Sequence, residues 1–349
     1  MTRRLRVALI AGGRSSEHEI SLTSARSVLE ALDPERYDVT TVAIDRSGRW
    51  ALGSEALEAG PTKAVQAQAA SAPIASLPVL ADSAPAKALG SVDVAIPILH
   101  GPFGEDGTVQ GLLELAGVPY VGAGVAASAL CMDKDLFKAV LRDRGIPVAQ
   151  NVTLRLGDGI RNPFGFPVFV KPARLGSSVG ISKAHDEAEL EAAVTLARRH
   201  DEKVLVEELL TGTELECGVL GNLRPAPIAS VVGEIVPHAE WYDYAAKYDE
   251  GGSEIVVPAR IPDEIAARVQ ELAVDSFVAT DCEGMARVDF FVREDGKVTV
   301  NELNTIPGFT PTSVYARLFA ASGIPYGELL DRLIRLALER HERRSSLEY

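Results

Sequence analysis

The chain has 349 residues, enough for two or three domains, and its 46 % apolar and 24 % charged residues are ordinary globular usage. Its formal net charge of −14 gives a surface that repels nucleic acids and anionic membranes, so neither is expected as a partner. The three cysteines are far apart and form no Cys-x-x-Cys pair. This argues against a zinc site and against disulfides, and it fits a reducing cytoplasm.

The N-terminal apolar run is too short for a signal peptide. It begins near Leu5 and ends at Gly12-Gly13, where charged residues follow. No stretch elsewhere approaches the roughly 20 apolar residues of a membrane span. These features predict a cytoplasmic protein.

The first part of the chain alternates strands and helices. A buried strand is predicted over 6–11, a helix over 20–32 and a second strand over 37–44, which is typical of a doubly wound α/β unit. Another strand, over 92–99, leads into a glycine-rich loop. Residues 51–90 are rich in Ala, Pro and Ser and are predicted to form a helix fragment followed by a surface loop.

A second unit follows, and it begins with a clear helix. Asp133 can cap that helix. One face of the helix is predicted to carry the apolar residues Leu136, Phe137, Val140 and Leu141. Beyond it, strands are predicted over 166–171 and 203–208, with a helix over 186–200 between them.

The composition of residues 222–228 is typical of a boundary between domains, so a third unit is expected to follow. That unit is predicted to contain an aromatic-rich polar loop over 241–253, a helix over 263–280 and a hairpin over 286–304. The polar tail after Arg335 is expected to fray.

The hairpin is the most informative stretch, because polar residues cluster at its far end. Two β-rich runs flank Asp295-Gly296, a dipeptide typical of a two-residue type I′ turn, which needs positive φ at both central positions. Counting outward from this turn places Asp289 opposite Glu302, and Arg287 opposite Asn304. Since strand side chains alternate with a period of two, all four are expected on one face.

The two facing carboxylates of this hairpin indicate a metal site. Like charges directly opposite each other destabilise a sheet, and a divalent cation between them would remove that cost. The oxygens of Asp289, Glu302 and Asn304 are hard ligands that suit Mg²⁺. A solvated acidic face with Arg287 as a local partner is the simpler alternative. The metal hypothesis depends on the register, because a one-residue slip would separate the two carboxylates.

The loop after the hairpin offers groups that can bind anions. Gly308 allows close backbone approach, and its N–H could serve an oxyanion. Thr312 and Ser313 offer hydroxyls at a possible helix N-terminus, which is a good carboxylate site. Taken alone, this stretch would be an ordinary loop.

A second group of residues is suited to phosphate. Lys171 ends a predicted strand and leads into a Gly- and Ser-rich loop over 176–180, whose backbone N–H groups can fold over phosphates. The lysine precedes the loop, so this is not a Walker A motif. Lys134 lies in the first turn of its helix, where the helix dipole disfavours a cation. This suggests an anion nearby, although a free surface lysine explains it equally well.

Acidic residues and glycine-rich loops complete the candidate site. A carboxylate among Glu207, Glu208 and Glu214, at a strand end, could bind ribose hydroxyls, and a strand that exits into water explains the pattern at least as well. Glycine-rich loops over 12–17 and 101–108 follow strands, where open α/β sheets bind ligands. Neither loop matches GxGxxG, so a dinucleotide-binding fingerprint is absent.

Together these segments resemble the D-alanine–D-alanine ligases of the ATP-grasp superfamily, and the resemblance covers nearly the whole chain. It rests on motifs whose order and spacing are specific only together: Gly12-Gly13 with Ser15, Glu17, Glu19, Ser21 and Leu22; His100-Gly101 with Gly104 to Thr108; Met132-Asp133-Lys134; Lys171-Pro172 with Gly176 to Gly180; Tyr244 to Tyr248; Arg287 with Asp289; and Asn301 to Thr305 with Pro307-Gly308.

The resemblance implies a three-domain ATP-grasp protein of mixed class, α/β and then α+β in its C-terminal part. Its N-terminal doubly wound α/β substrate domain would cover residues 1–125. The central ATP-grasp domain would cover 126–222, and the C-terminal domain, with the metal hairpin and a lid loop, would cover 223–349.

The resemblance also implies which residues bind ATP and its metal. Asp289, Glu302 and Asn304 would hold two Mg²⁺ ions, or Mn²⁺, on the ATP phosphates. The other expected ATP contacts are Lys134, Lys171 and Lys247 on the phosphates, and Glu207, Leu210 and Glu214 around the adenosine. Glu208 stands where many relatives have lysine, so only its backbone is expected to take part.

The substrate residues are implied in the same way. Glu17 would bind the ammonium of the first D-alanine and would be linked by hydrogen bonds to Ser177 and Tyr248. His100 would lie near that substrate. The oxyanion would be stabilised by Arg287 and by the Gly308 N–H, and the second substrate's carboxylate would be held by Ser313.

The implied reaction has two steps and needs a dry site. The first D-alanine carboxylate attacks the ATP γ-phosphate to give an acyl phosphate, and the second D-alanine attacks that carbonyl as a free amine. The loop over 241–253 is a candidate lid, because water would hydrolyse an acyl phosphate. The resemblance further implies a role in making peptidoglycan precursors, and a homodimer.

Three alternatives stand beside this reading. The first is a ligase that makes D-Ala–D-lactate or D-Ala–D-Ser, which Tyr248 and its loop disfavour because depsipeptide-forming relatives carry other residues there. The second is a degenerate ATP-grasp protein that senses nucleotide, which the intact Asp289, Glu302 and Lys171 disfavour. The third is a Rossmann dehydrogenase, which lacks its fingerprint here.

Overall fold

The structure is a computed structural model that describes residues 3–52, 89–237 and 253–348. Most of the predicted 51–90 segment and nearly all of the 241–253 loop lie outside these residues, and so do Lys247 and Tyr248.

The N-terminal unit is built on a four-stranded sheet with strand order β3-β2-β1-β4. Strand β1 pairs in parallel with β2 and β4, as a doubly wound unit requires. Its elements are β1 (Leu5–Gly12), α1 (His18–Ala31), β2 (Tyr37–Ile44), β3 (Trp50–Leu52), β4 (Val94–Ile98) and α2 (Thr108–Leu115). The loops after β1 and β4 leave the same edge of the sheet, and so they bring Glu17 and His100 together.

The central unit carries a four-stranded antiparallel sheet with strand order β5-β8-β6-β7. Lys171 lies on β6 and Glu207 on the neighbouring β8. The elements of this unit are α3 (Val125–Met132), α4 (Lys134–Asp143), β5 (Asn151–Leu154), β6 (Val168–Pro172), β7 (Ser182–Ala184), α5 (Glu187–Ala197) and β8 (Val204–Glu208).

Helix α4 confirms its predicted cap but not all of its predicted face. The Asp133 carboxylate accepts a hydrogen bond from the Leu136 N–H at 3.2 Å. The buried side of the helix consists of Lys134, Phe137, Lys138 and Leu141. Leu136 is 48 % exposed, so the prediction that it shares one face with Phe137 and Leu141 is wrong. Two lysines occupy the buried face because acidic side chains face them, which the apolar pattern of the helix does not reveal.

The C-terminal unit is organised by a five-stranded antiparallel sheet with strand order β11-β10-β9-β12-β13. The predicted boundary between 222 and 223 separates β9 from β10, which pair within this sheet, so the sheet begins earlier, at Thr213. The elements are β9 (Thr213–Gly221), β10 (Ile228–Pro237), β11 (Ser253–Val256), α6 (Asp263–Ala279), β12 (Gly284–Val292), β13 (Val298–Asn304), α7 (Val314–Ala321) and α8 (Tyr326–Ser345).

The C-terminal helix α8 ties the first and last units together. Its buried Leu333 and Ile334 share a hydrophobic cluster with Leu9 of β1 and with Phe319 of α7. The helix continues to Ser345, so the predicted fraying after Arg335 is wrong. The tail stays helical because it buries both an apolar stripe and an arginine against the N-terminal unit.

That arginine is Arg340, which is only 3 % exposed. Its Nη2 donates to the Tyr120 carbonyl at 2.8 Å, and its Nη1 donates to the Gly122 carbonyl. Its guanidinium also lies over the Tyr120 ring, 4.4 Å from the centroid. The side chain therefore supplies partners to two carbonyls where the N-terminal unit meets the C-terminal helix.

Replacing Arg340 should destabilise the protein. Arg340→Met leaves two carbonyls without their donor, so we expect the free energy of unfolding to fall by about 3 kcal/mol. Urea unfolding measures this, with Arg335→Met as the control because Arg335 is exposed on the same helix. Equal stability of the two variants would contradict the role given to Arg340.

Candidate active site

The β12–β13 hairpin has the predicted pairing at its far end but not at its turn. Asp289 pairs with Glu302, and Arg287 pairs with Asn304. At the turn, the Arg293 N–H donates to the Lys297 carbonyl at 3.1 Å, so the loop has three residues, 294–296. Within it only Gly296 has a positive φ, of 79°. The predicted two-residue type I′ turn is therefore wrong.

A one-residue β-bulge between the turn and the far end of the hairpin shifts the register by one residue. Phe290 pairs with Val300 while Asp289 pairs with Glu302, which leaves Asn301 as the extra residue. The bulge lets Val300 and Leu303 face the same hydrophobic core. It consequently turns Glu302 to the opposite face. The longer turn and the bulge shift the register in opposite senses, and the predicted pairing survives because the two shifts cancel.

Arg287 lies between two buried carboxylates. Its Nε and Nη2 donate to the two oxygens of Asp289, each at 2.7 Å. Its Nε also lies 3.0 Å from Oε2 of Glu216. Burial by itself would lower the pKa of Arg287, but Asp289 and Glu216 outweigh it and raise that pKa well above its usual value. Arg287 is therefore a fixed cation.

The sequence reasoning missed Glu216. It is 1 % exposed and lies on β9 directly opposite Asp289. The only signal in the sequence was a charged residue between two apolar ones, Leu215 and Cys217, within the strand.

A cavity of about 550 Å³ gathers most of the predicted substrate residues. It lies where the N-terminal loops meet the end of the hairpin. The predicted residues that line it are Glu17, His100, Lys134, Ser177, Arg287, Glu302, Asn304, Gly308 and Ser313. We call it the substrate cavity.

Glu17 is joined to the glycine- and serine-rich loop of the central unit. The Ser177 hydroxyl donates to Oε1 of Glu17 at 2.5 Å. The loop that presents this hydroxyl is tightly turned, because Ser177 and Ser178 both have positive φ, of 52° and 56°. A Cβ on Gly101, which has a φ of 72°, would lie 2.9 Å from Oε2 of Glu17, so a larger residue there would displace the carboxylate. The structure thus makes the predicted Glu17–Ser177 link, whereas Tyr248 lies outside the described residues.

His100 lines the same cavity. Its Nδ1 lies 3.0 Å from the Ile306 carbonyl and therefore donates to it. Its Nε2 is buried and has no hydrogen-bond partner within the described ranges. Burial lowers the pKa of His100, and the charge of Glu17 opposes this. His100 is therefore a neutral imidazole whose Nε2 is a buried acceptor.

The N-terminus of helix α7 also faces the cavity. Ser313 is the N-cap residue, and its hydroxyl accepts from the Thr310 N–H at 3.0 Å rather than from the helix. Ser313 and Val314 line the cavity beside Gly308. Free N–H groups and the helix dipole make this end suitable for a carboxylate, as predicted.

Glu105 is a further cavity residue that the sequence reasoning did not single out. It is 9 % exposed, and its oxygens accept from the Gly101 N–H at 2.6 Å and from the Ile306 N–H at 3.3 Å. Burial and the charge of Glu17 raise its pKa. It braces the two loops that enclose the substrate cavity.

A second cavity, of about 470 Å³, lies between the central and C-terminal sheets. We call it the nucleotide cavity. The predicted ATP-binding residues that line it are Lys134, Lys171, Glu207, Leu210 and Glu214. Lys134, Ser177 and Glu302 line both cavities, so the two spaces meet at these side chains.

The Glu207 carboxylate forms ion pairs with two lysines. Its Oε1 lies 2.9 Å from Lys171 Nζ, and its Oε2 lies 3.2 Å from Lys138 Nζ. Burial would raise the pKa of Glu207, but the two ammonium groups outweigh it and hold that pKa at about 2. The carboxylate is therefore ionised, and its two oxygens are directed at lysines although the residue lines the cavity.

The predicted metal ligands share one face of the hairpin. Glu302 and Asn304 line the substrate cavity, whereas Asp289 is 3 % exposed and paired with Arg287. The described residues contain no ready-made group of three His, Cys, Asp or Glu side chains for a metal. The predicted set differs from such a group because its third member is an amide. Two carboxylates and one amide, aligned by a bulge, fit the hard-oxygen preference of Mg²⁺.

Glu105 should make the protein less stable as the pH rises. Its pKa is raised above the usual 4.5, so above pH 4.5 the unfolded chain releases a proton that the folded chain keeps. Each such pH unit lowers the free energy of unfolding by up to about 1.4 kcal/mol. Melting temperatures between pH 5 and 8 should fall less steeply for Glu105→Gln, while the exposed Glu35→Gln control follows wild type. A wild-type slope in Glu105→Gln would refute the raised pKa.

Comparison with known proteins gives the family. Residues 6–123 match the family described as D-ala D-ala ligase N-terminus, and residues 140–335 match D-ala D-ala ligase C-terminus. D-alanine–D-alanine ligase A of Chromobacterium violaceum is 48 % identical over 97 % of this chain and 96 % of its own length. D-alanine–D-alanine ligase of Geobacillus kaustophilus is 44 % identical over 99 % and 97 %.

Solved structures agree with these relatives. The D-alanine–D-alanine ligase of Coxiella burnetii has a TM-score of 0.82 and 37 % identity, and covers 98 % of this chain and 96 % of its own. The VanG D-Ala:D-Ser ligase of Enterococcus faecalis has a TM-score of 0.81 and 35 % identity, with 96 % and 100 % covered. The Bacillus anthracis D-alanine–D-alanine ligase complexed with ATP has a TM-score of 0.75 and 27 % identity, with 97 % and 99 % covered.

The sheets, the two meeting cavities and the full-length matches agree with one another: the chain has the ATP-grasp fold and belongs to the D-alanine–D-alanine ligase family of ATP-dependent ligases.

Proposed function

We propose that this chain joins two molecules of D-alanine into D-alanyl-D-alanine, with ATP converted to ADP and phosphate, for peptidoglycan precursor synthesis. The observation that carries this proposal is the junction of the two cavities at Lys134, Ser177 and Glu302. A junction of this kind lets the phosphates of a nucleotide meet the carboxylate of a small substrate.

The substrate cavity has the charges that two amino acids need. Glu17 provides a carboxylate for the ammonium of the first D-alanine, next to the neutral His100. The carboxylate of the second D-alanine is assigned to Ser313, at the α7 N-terminus. Arg287 and the Gly308 N–H are assigned to the negative charge that develops on the reacting carbonyl oxygen.

The nucleotide cavity has a cationic end and a less polar end. Lys134 and Lys171 are assigned to the phosphates, together with Lys247 outside the described residues. Leu210 and Glu214 are assigned to the adenosine. The negatively charged protein binds a polyanion here because lysines are concentrated at this point.

Asp289, Glu302 and Asn304 would hold two Mg²⁺ ions, or Mn²⁺, beside the phosphates. When bound, these ions supply positive charge that stabilises the transferring phosphoryl group. Asp289 is paired with Arg287, and Glu302 lies 3.7 Å from Lys134 Nζ.

The proposed reaction has two steps, which depend on how the two substrates and ATP are placed. An oxygen of the first D-alanine carboxylate attacks the γ-phosphorus, and ADP leaves. The unprotonated amine of the second D-alanine attacks the acyl phosphate carbonyl, phosphate leaves, and the amine nitrogen loses a proton as the amide forms. Arg287 stays a cation throughout because its pKa is raised, so it stabilises charge rather than moving a proton.

The second substrate is the point where the alternative functions differ. The resemblance in fold to the VanG D-Ala:D-Ser ligase is almost equal to that of the Coxiella enzyme, so fold does not discriminate. The relatives at 44–49 % identity are named D-alanine–D-alanine ligases, which supports D-alanine, as does Tyr248. Product analysis decides the matter.

The predicted location and assembly stay predictions. Within the described ranges, no helix is both long and apolar enough to span a bilayer. A cytoplasmic homodimer without nucleic acid or membrane partners remains the expectation from the sequence.

The direct test is D-alanine-dependent ADP release with Mg-ATP, with the product identified by mass. We expect ADP release to require D-alanine and to yield D-alanyl-D-alanine. ADP release only when D-serine or D-lactate is also present would overturn the assignment of the second substrate. No ADP with any acid and amine pair would overturn the proposed reaction.

Glu302→Gln should abolish turnover and leave the fold intact. It removes a charge from the proposed metal site and keeps the side chain's shape, so we expect kcat to fall by at least about 1000-fold at saturating Mg²⁺. Steady-state kinetics and a melting curve measure the two effects. Glu294→Gln, in the exposed turn of the same hairpin, is the matched control. Near-normal activity of Glu302→Gln would refute the metal assignment.

A further inference from the structure

Helix α4 carries a lysine that none of the proposed functions uses. Lys138 lies four residues after Lys134 on the same buried face of the helix. It is 1 % exposed, and it lines neither the substrate cavity nor the nucleotide cavity. A buried lysine is costly unless a carboxylate compensates it, so its surroundings should show what it does.

Those surroundings form a row of three charges that ends at the nucleotide cavity. Lys138 Nζ lies 3.2 Å from Oε2 of Glu207, and Oε1 of Glu207 lies 2.9 Å from Lys171 Nζ. Glu207 is 2 % exposed, whereas the Lys171 side chain is 12 % exposed and lines the nucleotide cavity. The buried cation is thus separated from the cavity by Glu207, which lines the cavity together with Lys171.

The signs of these charges matter for a polyanionic ligand. With Lys138 present, the row is positive, negative, positive, and it has a net charge of about +1. Without Lys138, Glu207 would neutralise Lys171, and the row would have no net charge to offer phosphates. Interactions in such a buried site are weakly screened, so the difference persists at physiological salt.

We propose that Lys138 is a positioning residue for nucleotide binding: it neutralises Glu207 so that the Lys171 ammonium remains available to the phosphates of ATP. Glu207 in turn holds that ammonium at the cavity edge. This inference rests on the proposed assignment of the nucleotide cavity to ATP, but not on D-alanine as the substrate.

A purely structural role for Lys138 makes different predictions. If the lysine only stabilised the core, its loss would lower the stability of the protein and weaken the binding of nucleotides and nucleosides alike. If Lys138 acts through its charge, its loss should weaken the binding of ATP but not that of adenosine, which has no phosphate. Removing the charge of Glu207 at the same time should then restore ATP binding.

The test is isothermal titration calorimetry of the full chain with Mg-ATP and with adenosine, in the absence of D-alanine. We expect Lys138→Met to bind ATP about tenfold more weakly than wild type, and adenosine within about twofold. The Lys138→Met/Glu207→Gln double variant should recover ATP affinity to within about threefold of wild type. Arg340→Met, which removes a buried cation that lines neither cavity, controls for lost stability.

Three results would overturn the proposal. They are ATP affinity within about twofold of wild type in Lys138→Met, equal weakening of ATP and adenosine, and a double variant as weak as the single one. If Lys138→Met is too unstable to measure, the double variant decides alone, because it removes the charge of Lys138 and that of its partner Glu207 together. ATP binding near wild type then supports the proposal, and tenfold weaker binding contradicts it. Failure to ligate D-alanine leaves all of these measurements unaffected.

Discussion

Asn301 is the extra residue in the β12–β13 ladder, and the site depends on its presence. Without the bulge, the pairing that starts at the three-residue turn would continue and would turn Glu302 into the hydrophobic core. With it, Leu303 continues the core, and Glu302 and Asn304 join Arg287 and Asp289 on the opposite face. The helices, the loops and both cavities then meet at this face. A local irregularity in one strand thus fixes which charges can face one another.

The site is built from buried charges that compensate one another. Arg287 lies against two carboxylates, Asp289 and Glu216, whereas Glu207 lies against two ammonium groups, Lys138 and Lys171. Each arrangement keeps its central group ionised despite burial. This explains how a chain with a net charge of −14 presents localised positive charge to a nucleotide. It also explains why charge balance, rather than the number of lysines, should govern affinity.

The sequence was sufficient for about half of the elements and for most of the residues that line the two cavities, but not for pairings that depend on the fold. Periodicity placed the predicted strands and helices within a few residues, and motif spacing named cavity residues from Glu17 to Ser313, but no helix bounds were predicted after Arg287. The hairpin pairing was predicted correctly for an incomplete reason, because neither the bulge nor the longer turn was foreseen. Glu105, Lys138 and Glu216 were missed because their partners lie on other strands or loops. The end of α8 was taken for a loose tail because its polar composition conceals the buried Arg340.

The most direct test of this account is anomalous diffraction from crystals grown with Mn²⁺ and ATP. Mn²⁺ replaces Mg²⁺ at oxygen ligands and can be located independently of the protein atoms. We expect ions within about 2.2 Å of oxygens from Glu302, Asn304 and Asp289, with Arg287 still held by Glu216. Ions bound elsewhere, or a Glu302 side chain directed into the core, would contradict it.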